Sequence, residues 1–389
     1  MSKRRAPKRK ASRARKPRQH TVATVIATST LGLALATGVG VTTVYNHLNG
    51  NLDVMDVANQ LTDRPEKVDV SGPMEPLNIL VMGSDSRDGE GNDIDGLTGG
   101  GQRSDTTMIL HVSADRERAF GVSLPRDAMV DRPECTTEDG EKIPGENPAM
   151  FNTAYAYGGP ACTIQTVEQL TGIRIDHFVD IDFGGFESMV DAIDGVEVCI
   201  PTTVDDPAHD IYLEAGTREL EGREALAYVR ERYQLSSNSD IGRMKRQQAF
   251  VASMANKLVS ADTLSRPDRL VSFLNAATKS VTLDPDLDSV GKLSDLGLQF
   301  RNTGLNKIRF ITVPIAAYEP DPNRLVWTSD ADALWDKIIN DEPIGADLSE
   351  GVITAAKPQG GSTGDGSGDK GGATSEEEAE QLAANGLCT

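Results

Sequence analysis

From residue 77 onward, short apolar runs alternate with segments whose apolar residues recur every three or four positions. Apolar runs of about four to eight residues predict strands, and the longer repeating segments predict helices. The predicted strands are Leu77–Met82, Thr106–Val112, Ala119–Leu124, His177–Asp182, Val196–Ile200 and Lys307–Val313. The predicted helices are Pro160–Leu170, Phe186–Ile193, Arg223–Arg230, Asp240–Val259 and Ala331–Ile339, with two more between 267 and 302.

The order of these elements predicts the fold class. The second strand ends at Val112 and the third begins at Ala119, so these two strands are expected to pair as a hairpin across Asp115–Arg118. Strands that alternate with helices predict one α/β/α domain over 77–345, with a mixed sheet at its centre. On the longest helix, the inward-facing stripe is predicted at Met244, Val251, Met254 and Leu258.

The start of the chain has the pattern of a membrane anchor. Residues 1–20 hold ten Lys or Arg and no acid, and Val22–Tyr45 has no charged residue. A helix of that length reaches about 36 Å, enough for a hydrocarbon core of about 30 Å. We therefore predict a basic cytoplasmic tail at 1–20, one transmembrane helix at 21–45, and the rest of the chain outside the cytoplasm. The small-residue triplet Ala34-Leu35-Ala36 also fits a cleaved signal peptide, but the length favours a retained signal anchor.

Two further segments have little apolar content. Residues 46–76 are predicted to be an extracytoplasmic stalk, and residues 346–389 a Gly/Ser/acidic low-complexity tail. The stretch Gly360–Ala373 contains no large apolar side chain that a core would bury. Ser375–Ala384 could form a short helix, but the sequence offers that helix no core to pack on.

The charge distribution argues against nucleic-acid binding. Ten of the 39 basic residues lie in the first 20, so the other 29 stand against 59 acidic residues, a net charge of −30. A body this acidic repels the phosphates of a nucleic acid. A site for an anion must therefore be a local concentration of arginine.

The four cysteines fit an oxidising compartment. Cys135 and Cys162 flank a loop and are candidates for a disulfide. Cys199 lies in an apolar run and could be a buried thiol, while Cys388 could pair with Cys199, pair with another chain or stay free. No CxxC or His pairing indicates zinc.

Charged residues follow or precede the predicted strands at several turns. Because ligands of open α/β sheets bind outside the strand ends, these turns are expected to converge on one cleft. Asp85 and Asp105 offer the hard oxygen ligands that Mg²⁺ prefers, and Mn²⁺ would fit the same pair. Asp240, Arg243 and Gln247 share one helix face. The arginines whose planar forks suit phosphate oxygens are Arg103, Arg126, Arg230, Arg232, Arg243 and Arg246. Taken singly, each of these motifs is more often an ordinary turn or a solvated face.

Eight segments occur together in an order that resembles the LytR-CpsA-Psr family of cell-wall glycopolymer ligases, and cysteine pairing and composition are similar to actinobacterial members. The segments are Asn78–Arg87, Arg103–Met108, Ser123–Asp127, Asn152–Pro160, Thr166–Phe178, Asp182–Val198, Leu220–Arg232 and Asp240–Phe250. The resemblance implies a hydrophobic groove for a polyprenyl chain. It also implies Mg²⁺ on Asp85 and Asp105, and pyrophosphate on the arginines together with Gln247.

The reaction that the resemblance implies is a phosphoryl transfer. The 6-hydroxyl of N-acetylmuramic acid in peptidoglycan would attack the sugar-linked phosphorus of a polyprenyl-pyrophosphate-linked glycopolymer, and polyprenyl phosphate would leave. Asp127 and Asp240 are both candidates for the general base, and each could instead orient an arginine. One departure concerns a lysine that many members carry where this chain has Met150, and Lys142 is a candidate replacement.

Three other functions compete with the transferase. A membrane-linked transcriptional regulator would need a cytoplasmic body with a basic face, against the charge distribution. A polyprenyl-pyrophosphate hydrolase would use the same site, and a non-catalytic lipid-binding protein would need only its groove. The sequence does not specify which glycopolymer is moved.

Overall fold

A computed structural model of the chain describes residues 19–84, 104–207, 211–232, 234–236, 239–300, 303–345, 348, 352–356, 358 and 382–388. The chain divides into two units, Met1–His47 and Leu48–Thr389. The described part of the first unit is helical, because α1 extends over Gln19–Asn49. Residues 1–18 of the predicted cytoplasmic tail lie outside the described residues. In the described part of the chain, no helix combines the length and the apolarity that crossing a bilayer requires.

The centre of the second unit is a sheet to which eight of the described strands belong. Its order is β1-β14-β9-β2-β3-β4-β15-β18, and it mixes parallel pairs such as β2 with β9 and antiparallel pairs such as β2 with β3. The strands are β1 (Asp53–Val54), β2 (Leu77–Ser84), β3 (Ser104–Val112), β4 (Ala119–Leu124), β9 (His177–Asp182), β14 (Val281–Leu283), β15 (Ile308–Thr312) and β18 (Ile353–Thr354). The predicted mixed sheet is confirmed.

The other strands described form small antiparallel pairs around this sheet. They are β5 (Met129–Arg132) with β8 (Glu146–Met150), β6 (Cys135–Thr136) with β7 (Lys142–Ile143), β10 (Val196–Ile200) with β13 (Gly216–Leu220), β11 (Val204–Asp206) with β12 (Ile211–Leu213), and β16 (Ile315–Tyr318) with β17 (Asp321–Trp327). The helices of the second unit are α2 (Thr153–Thr171), α3 (Phe183–Ala192), α4 (Gly222–Arg230), α5 (Ser239–Val259), α6 (Ala261–Leu264), α7 (Pro267–Ser280), α8 (Val290–Gln299) and α9 (Asp330–Ile339).

Apolar side chains cover both faces of the sheet. Ile109 and Met108 are neighbours on β3, so their side chains point to opposite faces. Ile109 belongs to a cluster with residues of α2 and α9, such as Ile164 and Leu334. Met108 belongs to another cluster with Ala252 of α5. Helices therefore lie on both faces of the sheet, as expected for an α/β/α domain.

The hairpin predicted from the short Asp115–Arg118 connection is confirmed, because β3 and β4 pair from Thr107↔Leu124 to Val112↔Ala119. The predicted stripe on α5 is wrong at Val251, which is 41% exposed. The buried face of α5 instead includes Phe250 and several polar side chains. The spacing of apolar residues could not identify that face, because protein surrounds the first turns of α5 on most sides.

Both disulfides lie in the second unit. Cys135 and Cys162 are bonded with a Cα–Cα distance of 5.3 Å, which confirms the predicted candidate pair. Cys199 is bonded to Cys388 at a Cα–Cα distance of 5.9 Å, so the described chain end is tied to β10. Leu387 is buried against residues of β15 and α5. The end of the chain thus has a core to pack on, which its polar composition did not indicate.

Candidate functional site

Several strands of the central sheet reach one edge together, and this edge is called the site edge here. The strands β2, β4, β9 and β15 run in the same direction and end there, while the antiparallel β3 begins there. The turns that carry the predicted site residues follow or precede these strand ends. Topology thus brings together segments that are far apart in sequence, as expected from the general position of ligands in such sheets.

Five of the predicted residues form one charged cluster at the site edge. Arg126 donates from its Nη1 to Asp105 Oδ1, and its Nε lies 3.4 Å from Asp127 Oδ2. The carboxyl groups of Asp127 and Asp240 share a hydrogen bond. Arg243 donates from Nη2 to Asp240 Oδ1 at 3.1 Å, one helical turn further along α5. Carboxylates and guanidinium groups that the sequence predicted for one cleft are therefore in mutual contact.

Burial and like charges perturb the ionisation of this cluster. Burial and the hydrogen bond with Asp240 raise the pKa of Asp127 to about 6. Burial alone would raise the pKa of Asp240 as well, but its bond with Asp127 and the cation of Arg243 bring it below the usual value. Burial, followed by the neighbouring cation of Arg126, lowers the pKa of Arg243. The two carboxyl groups can therefore hold one proton between them near pH 6.

One cation of the cluster was missed in the sequence. Arg324 on β17 places its Nη1 3.4 Å from Asp127 Oδ1, and its side chain is 35% exposed. With it, three arginines face the three carboxylates of Asp105, Asp127 and Asp240. The sequence does contain a turn signal, because Glu319-Pro320-Asp321-Pro322-Asn323 precedes the apolar end of β17. That signal predicts a hairpin but not where its arginine points.

A buried tyrosine and carboxylate support the same edge. Tyr155 on α2 donates its hydroxyl proton to Asp180 Oδ2 at 2.5 Å, and both residues also interact with the hydroxyl of Ser84, at the end of β2. Burial raises the pKa of Asp180 to about 6, although the bonds from Tyr155 and Ser84 act in the opposite direction. These contacts fix the strand end from which the predicted metal ligand Asp85 follows.

The predicted arginine pair Arg230 and Arg232 lies at the end of α4 and just after it. Arg230 is the last residue of α4, and its guanidinium carbon lies 5.0 Å from the ring centre of Phe183. Phe183 begins α3 directly after β9, so Arg230 also lies at the site edge. Arg232 is half-buried in the segment after α4. Gln247 donates from Nε2 to the carbonyl of Val229 at 3.3 Å, which connects α5 to the end of α4.

Arg246 lies inside the protein rather than in the charged cluster. Its side chain has no exposed surface, and its Nη2 donates to the carbonyl oxygen of Glu231. Its Nη1 lies 3.5 Å from the carbonyl oxygen of Asn385 at the chain end. A guanidinium group enclosed in this way holds backbone together and does not reach a phosphate. The expectation that Arg246 binds pyrophosphate is therefore corrected.

Lys142, the suggested substitute for the missing lysine, is exposed on β7. Its Nζ is 3.1 Å from Glu134 Oε1 and 3.0 Å from Thr136 Oγ1. Met150, at the position where the lysine is missing, is the last residue of β8. In the structure the lysine is thus engaged in a solvated ion pair, which contributes little to stability.

Two predicted ligands, Asp85 and Arg103, lie outside the described residues. Within the described ranges, no three His, Cys, Asp or Glu side chains are arranged to hold a metal ion. Asp105 is described, and its carboxylate is 15% exposed beside Arg126. Ser84 and Ser104, which neighbour Asp85 and Asp105 in the sequence, are register partners at the site edge. The pairing of the two carboxylates stays a prediction.

A cavity of about 110 Å³ lies at the opposite edge of the sheet, where β9 begins. Its lining includes Val57, Ile164 and Phe178, together with His177 and Asp284. Phe178 N donates to Asp284 Oδ2 at 3.1 Å, and His177 Nδ1 lies 3.2 Å from Asp284 Oδ1. These polar groups satisfy one another, and none of them belongs to the predicted site.

The sequence of this chain is similar to those of known cell wall proteins. The model of the LytR_cpsA_psr family matches residues 43–337. The chain is 36% identical over 246 residues to the probable cell wall biosynthesis protein LcpB of Corynebacterium glutamicum, covering 62% of this chain and 55% of that protein. It is 31% identical to the polyisoprenyl-teichoic acid–peptidoglycan teichoic acid transferase TagU of Enterococcus faecalis, covering 62% of this chain and 72% of that protein.

Solved structures share the fold. The structure of TagT bound to LI-WTA superposes with a TM-score of 0.53 at 23% identity, covering 75% of this chain and 100% of that one. The LytR-Csp2A-Psr enzyme from Actinomyces oris gives a TM-score of 0.51 at 23% identity, covering 71% and 96%. The chain spans about half the length of LcpB and of LcpA of Corynebacterium glutamicum, with 55% and 50% covered.

Proposed function

The chain belongs to the LytR_cpsA_psr family, and on that basis we propose that it is a phosphotransferase of cell wall assembly. It moves a glycopolymer from a polyprenyl-pyrophosphate carrier to the 6-hydroxyl of N-acetylmuramic acid in peptidoglycan and leaves a phosphodiester link. One observation carries the proposal: Asp105, Arg126, Asp127, Asp240 and Arg243 come from three separate segments and meet at one edge of the sheet. The names of relatives, such as the teichoic acid transferase TagU, agree with this class of reaction.

The arginines are suited to a diphosphate. Phosphoryl transfer depends mainly on positioning and on neutralising the charge of the phosphate oxygens. Arg126 and Arg243 are almost enclosed, with 14% and 3% of their side chains exposed, so their charges act in surroundings with little water. Both are paired with carboxylates of the cluster. An incoming diphosphate would replace part of this internal pairing with a stronger bidentate contact.

Mg²⁺, or Mn²⁺ in its place, is the cation proposed for the same edge. Asp105 offers one carboxylate with partial exposure, and a Mg²⁺ site needs only one or two carboxylates besides water and phosphate oxygens. The donor chemistry therefore fits the ion, with Asp105 and the predicted Asp85 as its protein ligands. When bound, the ion would neutralise charge on the diphosphate and favour the departure of the polyprenyl phosphate.

The pair of Asp127 and Asp240 is proposed as the proton acceptor. Above about pH 6 the pair has lost its shared proton, so a carboxylate oxygen is free to take the proton of the acceptor hydroxyl. As that proton moves, the hydroxyl oxygen bonds to the sugar-linked phosphorus and the bond from phosphorus to the bridging oxygen breaks. Polyprenyl phosphate leaves with the bonding electron pair. Arg126 and Arg243 hold the carboxyl pair in place during this step.

The lipid tail of the donor requires an apolar surface next to the charged cluster of the site edge. Arg230 stacks on Phe183, and Phe183 belongs to an apolar cluster between α3, α4 and α5. Phe186, Met254 and Phe273 pack against that cluster and are only partly buried. We propose that the polyprenyl groove lies along these side chains, with Arg230 at the boundary between lipid and pyrophosphate. A donor embedded in the membrane also fits the proposed signal anchor at 21–45, a cytoplasmic N-terminus and an extracytoplasmic catalytic domain.

The test uses purified protein with lipid-linked glycopolymer, peptidoglycan and Mg²⁺. Mass spectrometry of the digested wall should detect a phosphodiester at the muramic acid 6-position. Asp105→Ala should abolish the product and retain binding of the lipid, whereas Asp115→Asn, at the opposite edge in the β3–β4 turn, should behave as wild type. Free polymer phosphate with no wall-linked product would identify a hydrolase instead. Unchanged transfer by Asp105→Ala would contradict the assignment of the site.

A further inference from the structure

The hairpin β16–β17 fixes the position of an arginine that the predicted site did not include. Its two strands pair antiparallel from Ile315↔Trp327 to Tyr318↔Asp321. Leu325 of this hairpin forms a parallel bridge with Ala128. The preceding residues on the two segments, Arg324 and Asp127, therefore lie side by side. Backbone pairing rather than side-chain reach alone brings the two charges together.

Aromatic packing holds this hairpin on the core. The ring of Trp327 lies 5.4 Å from that of Trp335 on α9 and 6.4 Å from that of Phe151. Phe151 in turn donates its backbone N–H to the carbonyl of Ala128 at 2.8 Å, close to the bridge. The end of the hairpin is thus tied to the segment that carries Asp127. Arg324 is presented by a fixed backbone, unlike an arginine on a free loop.

Both oxygens of Asp127 face an arginine. Arg324 Nη1 lies 3.4 Å from Oδ1, and Arg126 Nε lies 3.4 Å from Oδ2. Arg126 approaches from the enclosed side of the cluster, whereas Arg324 approaches from the more exposed side. An exposed ion pair by itself contributes little. Here, however, the carboxylate is only 13% exposed and also shares a hydrogen bond with Asp240, so its orientation matters to the pair.

We propose that Arg324 is a positioning residue of the transfer site, which holds the carboxyl group of Asp127 against that of Asp240 and so keeps the pair aligned for the acceptor hydroxyl. This inference rests on the proposed function. Arg324 neither gives nor takes a proton. The proton of the hydroxyl passes to a carboxylate oxygen of the pair while the new oxygen–phosphorus bond forms and the bond to polyprenyl phosphate breaks. Without Arg324, one oxygen of Asp127 loses its partner and the carboxyl group can rotate away.

The first test compares Arg324→Gln with Arg324→Lys in the transfer assay. Arg324→Gln should lower kcat about tenfold and change KM for the lipid-linked donor less than about twofold, because alignment and not ground-state binding is lost. Arg324→Lys should recover part of the rate. The matched control is Arg218→Gln, since Arg218 is also a half-exposed arginine on a two-stranded antiparallel pair, β10–β13, with an acidic partner, Glu214. If Arg324→Gln matches this control, or raises KM with kcat unchanged, the proposal is overturned.

A double-mutant cycle tests whether Arg324 acts through Asp127. In an Asp127→Asn background, followed in long incubations at high protein concentration, Arg324→Gln should change the residual rate less than about twofold. Another full tenfold loss would instead mean that Arg324 acts independently of Asp127, which contradicts the proposal.

A measurement on the protein alone separates this inference from the proposed function. The cations of Arg324, Arg126 and Arg243 face the carboxyl pair and lower the pKa of Asp240. The ¹³C NMR titration of the labelled aspartates should show that Arg324→Gln raises this pKa, and Arg218→Gln should leave it unchanged. If wild type transfers no polymer but the titration shifts, the function is wrong and the Arg324 contact holds. If wild type is active and the titration does not shift, the Arg324 inference fails.

Discussion

Two charge clusters lie at opposite ends of β3, and their carboxyl groups have different partners. At the far end, His111 Nε2 lies 3.2 Å from Asp341 Oδ1, Ala114 N donates to Asp341 Oδ2 at 2.9 Å, and Arg118 Nη2 lies 3.3 Å from Oδ1. At the site edge, Asp127 shares a hydrogen bond with another carboxyl group. One cluster surrounds a single carboxylate with donors, and the other sets two carboxyl groups against each other.

The ionisation of the two clusters follows from this difference. Burial alone would raise the pKa of Asp341, but the donors of His111 and Ala114 and the cation of Arg118 bring it below the usual value. The pKa of Asp127 is raised to about 6. A cluster that serves stability satisfies its charges internally, whereas a cluster that serves chemistry keeps a group whose proton is easily exchanged. Under the proposed function, the His111–Asp341 end of β3 serves stability and the Asp127–Asp240 end serves transfer.

The largest expected effect comes from Asp127→Asn. Loss of the proton acceptor should lower the transfer rate by about 10² to 10⁴. Thermal stability at pH 8 should stay the same or rise, because the folded state no longer holds a charged carboxylate whose pKa is raised by burial. Transfer assays and calorimetry measure the two quantities. A variant that keeps its transfer rate, or that loses it only because the protein unfolds, would contradict the role of Asp127 as proton acceptor.

For Asp341→Ala, the stability of the protein is expected to fall and the transfer rate to change little. Removal of this carboxylate leaves His111 and Arg118 without their shared partner, so the free energy of unfolding should fall by about 3 kcal/mol. The rate per folded molecule should change less than about twofold. Urea denaturation and the transfer assay at 25 °C test both statements, with Asp295→Ala on the exposed side of α8 as control. An Asp341→Ala variant that is stable but inactive would contradict this assignment, because the far end of β3 would then be needed for transfer.

The pH dependence gives a smaller effect. A base must be deprotonated to act, and the pKa of Asp127 is raised to about 6. The transfer rate should therefore rise with pH through about 6, and the rate at pH 5 should be about tenfold below the rate at pH 7. A rate–pH profile between pH 4.5 and 8.5 measures this, with folding checked at each pH. A midpoint near 4, the ordinary range of a carboxyl group, would argue against the shared proton.

The sequence predicted the sheet and the site edge because both depend on local patterns. Leu77–Met82 and Ala119–Leu124 are apolar runs of strand length, and the strands that contain them bring their polar ends to the same edge. Asp105 and Arg126 could be placed together from that rule alone. Topology was thus accessible from periodicity and from the position of charged residues at strand ends.

The sequence could not predict the features that depend on tertiary packing. Arg246 and Gln248 on α5 are fully buried, and the predicted apolar stripe was wrong at Val251, because the interior around this helix is partly polar. Arg324 entered the cluster through a hairpin whose docking depends on Trp327. The disulfide of Cys388 was likewise one of three alternatives until the chain end was located.

The most direct test is a crystal structure of the protein with Mn²⁺ and a short polyprenyl pyrophosphate. We expect the diphosphate within hydrogen-bond distance of Arg126 and Arg243, and an anomalous Mn²⁺ peak at the carboxylate of Asp105. A diphosphate bound instead at the opposite edge of the sheet, with the cluster of Asp127 and Asp240 unchanged, would contradict it.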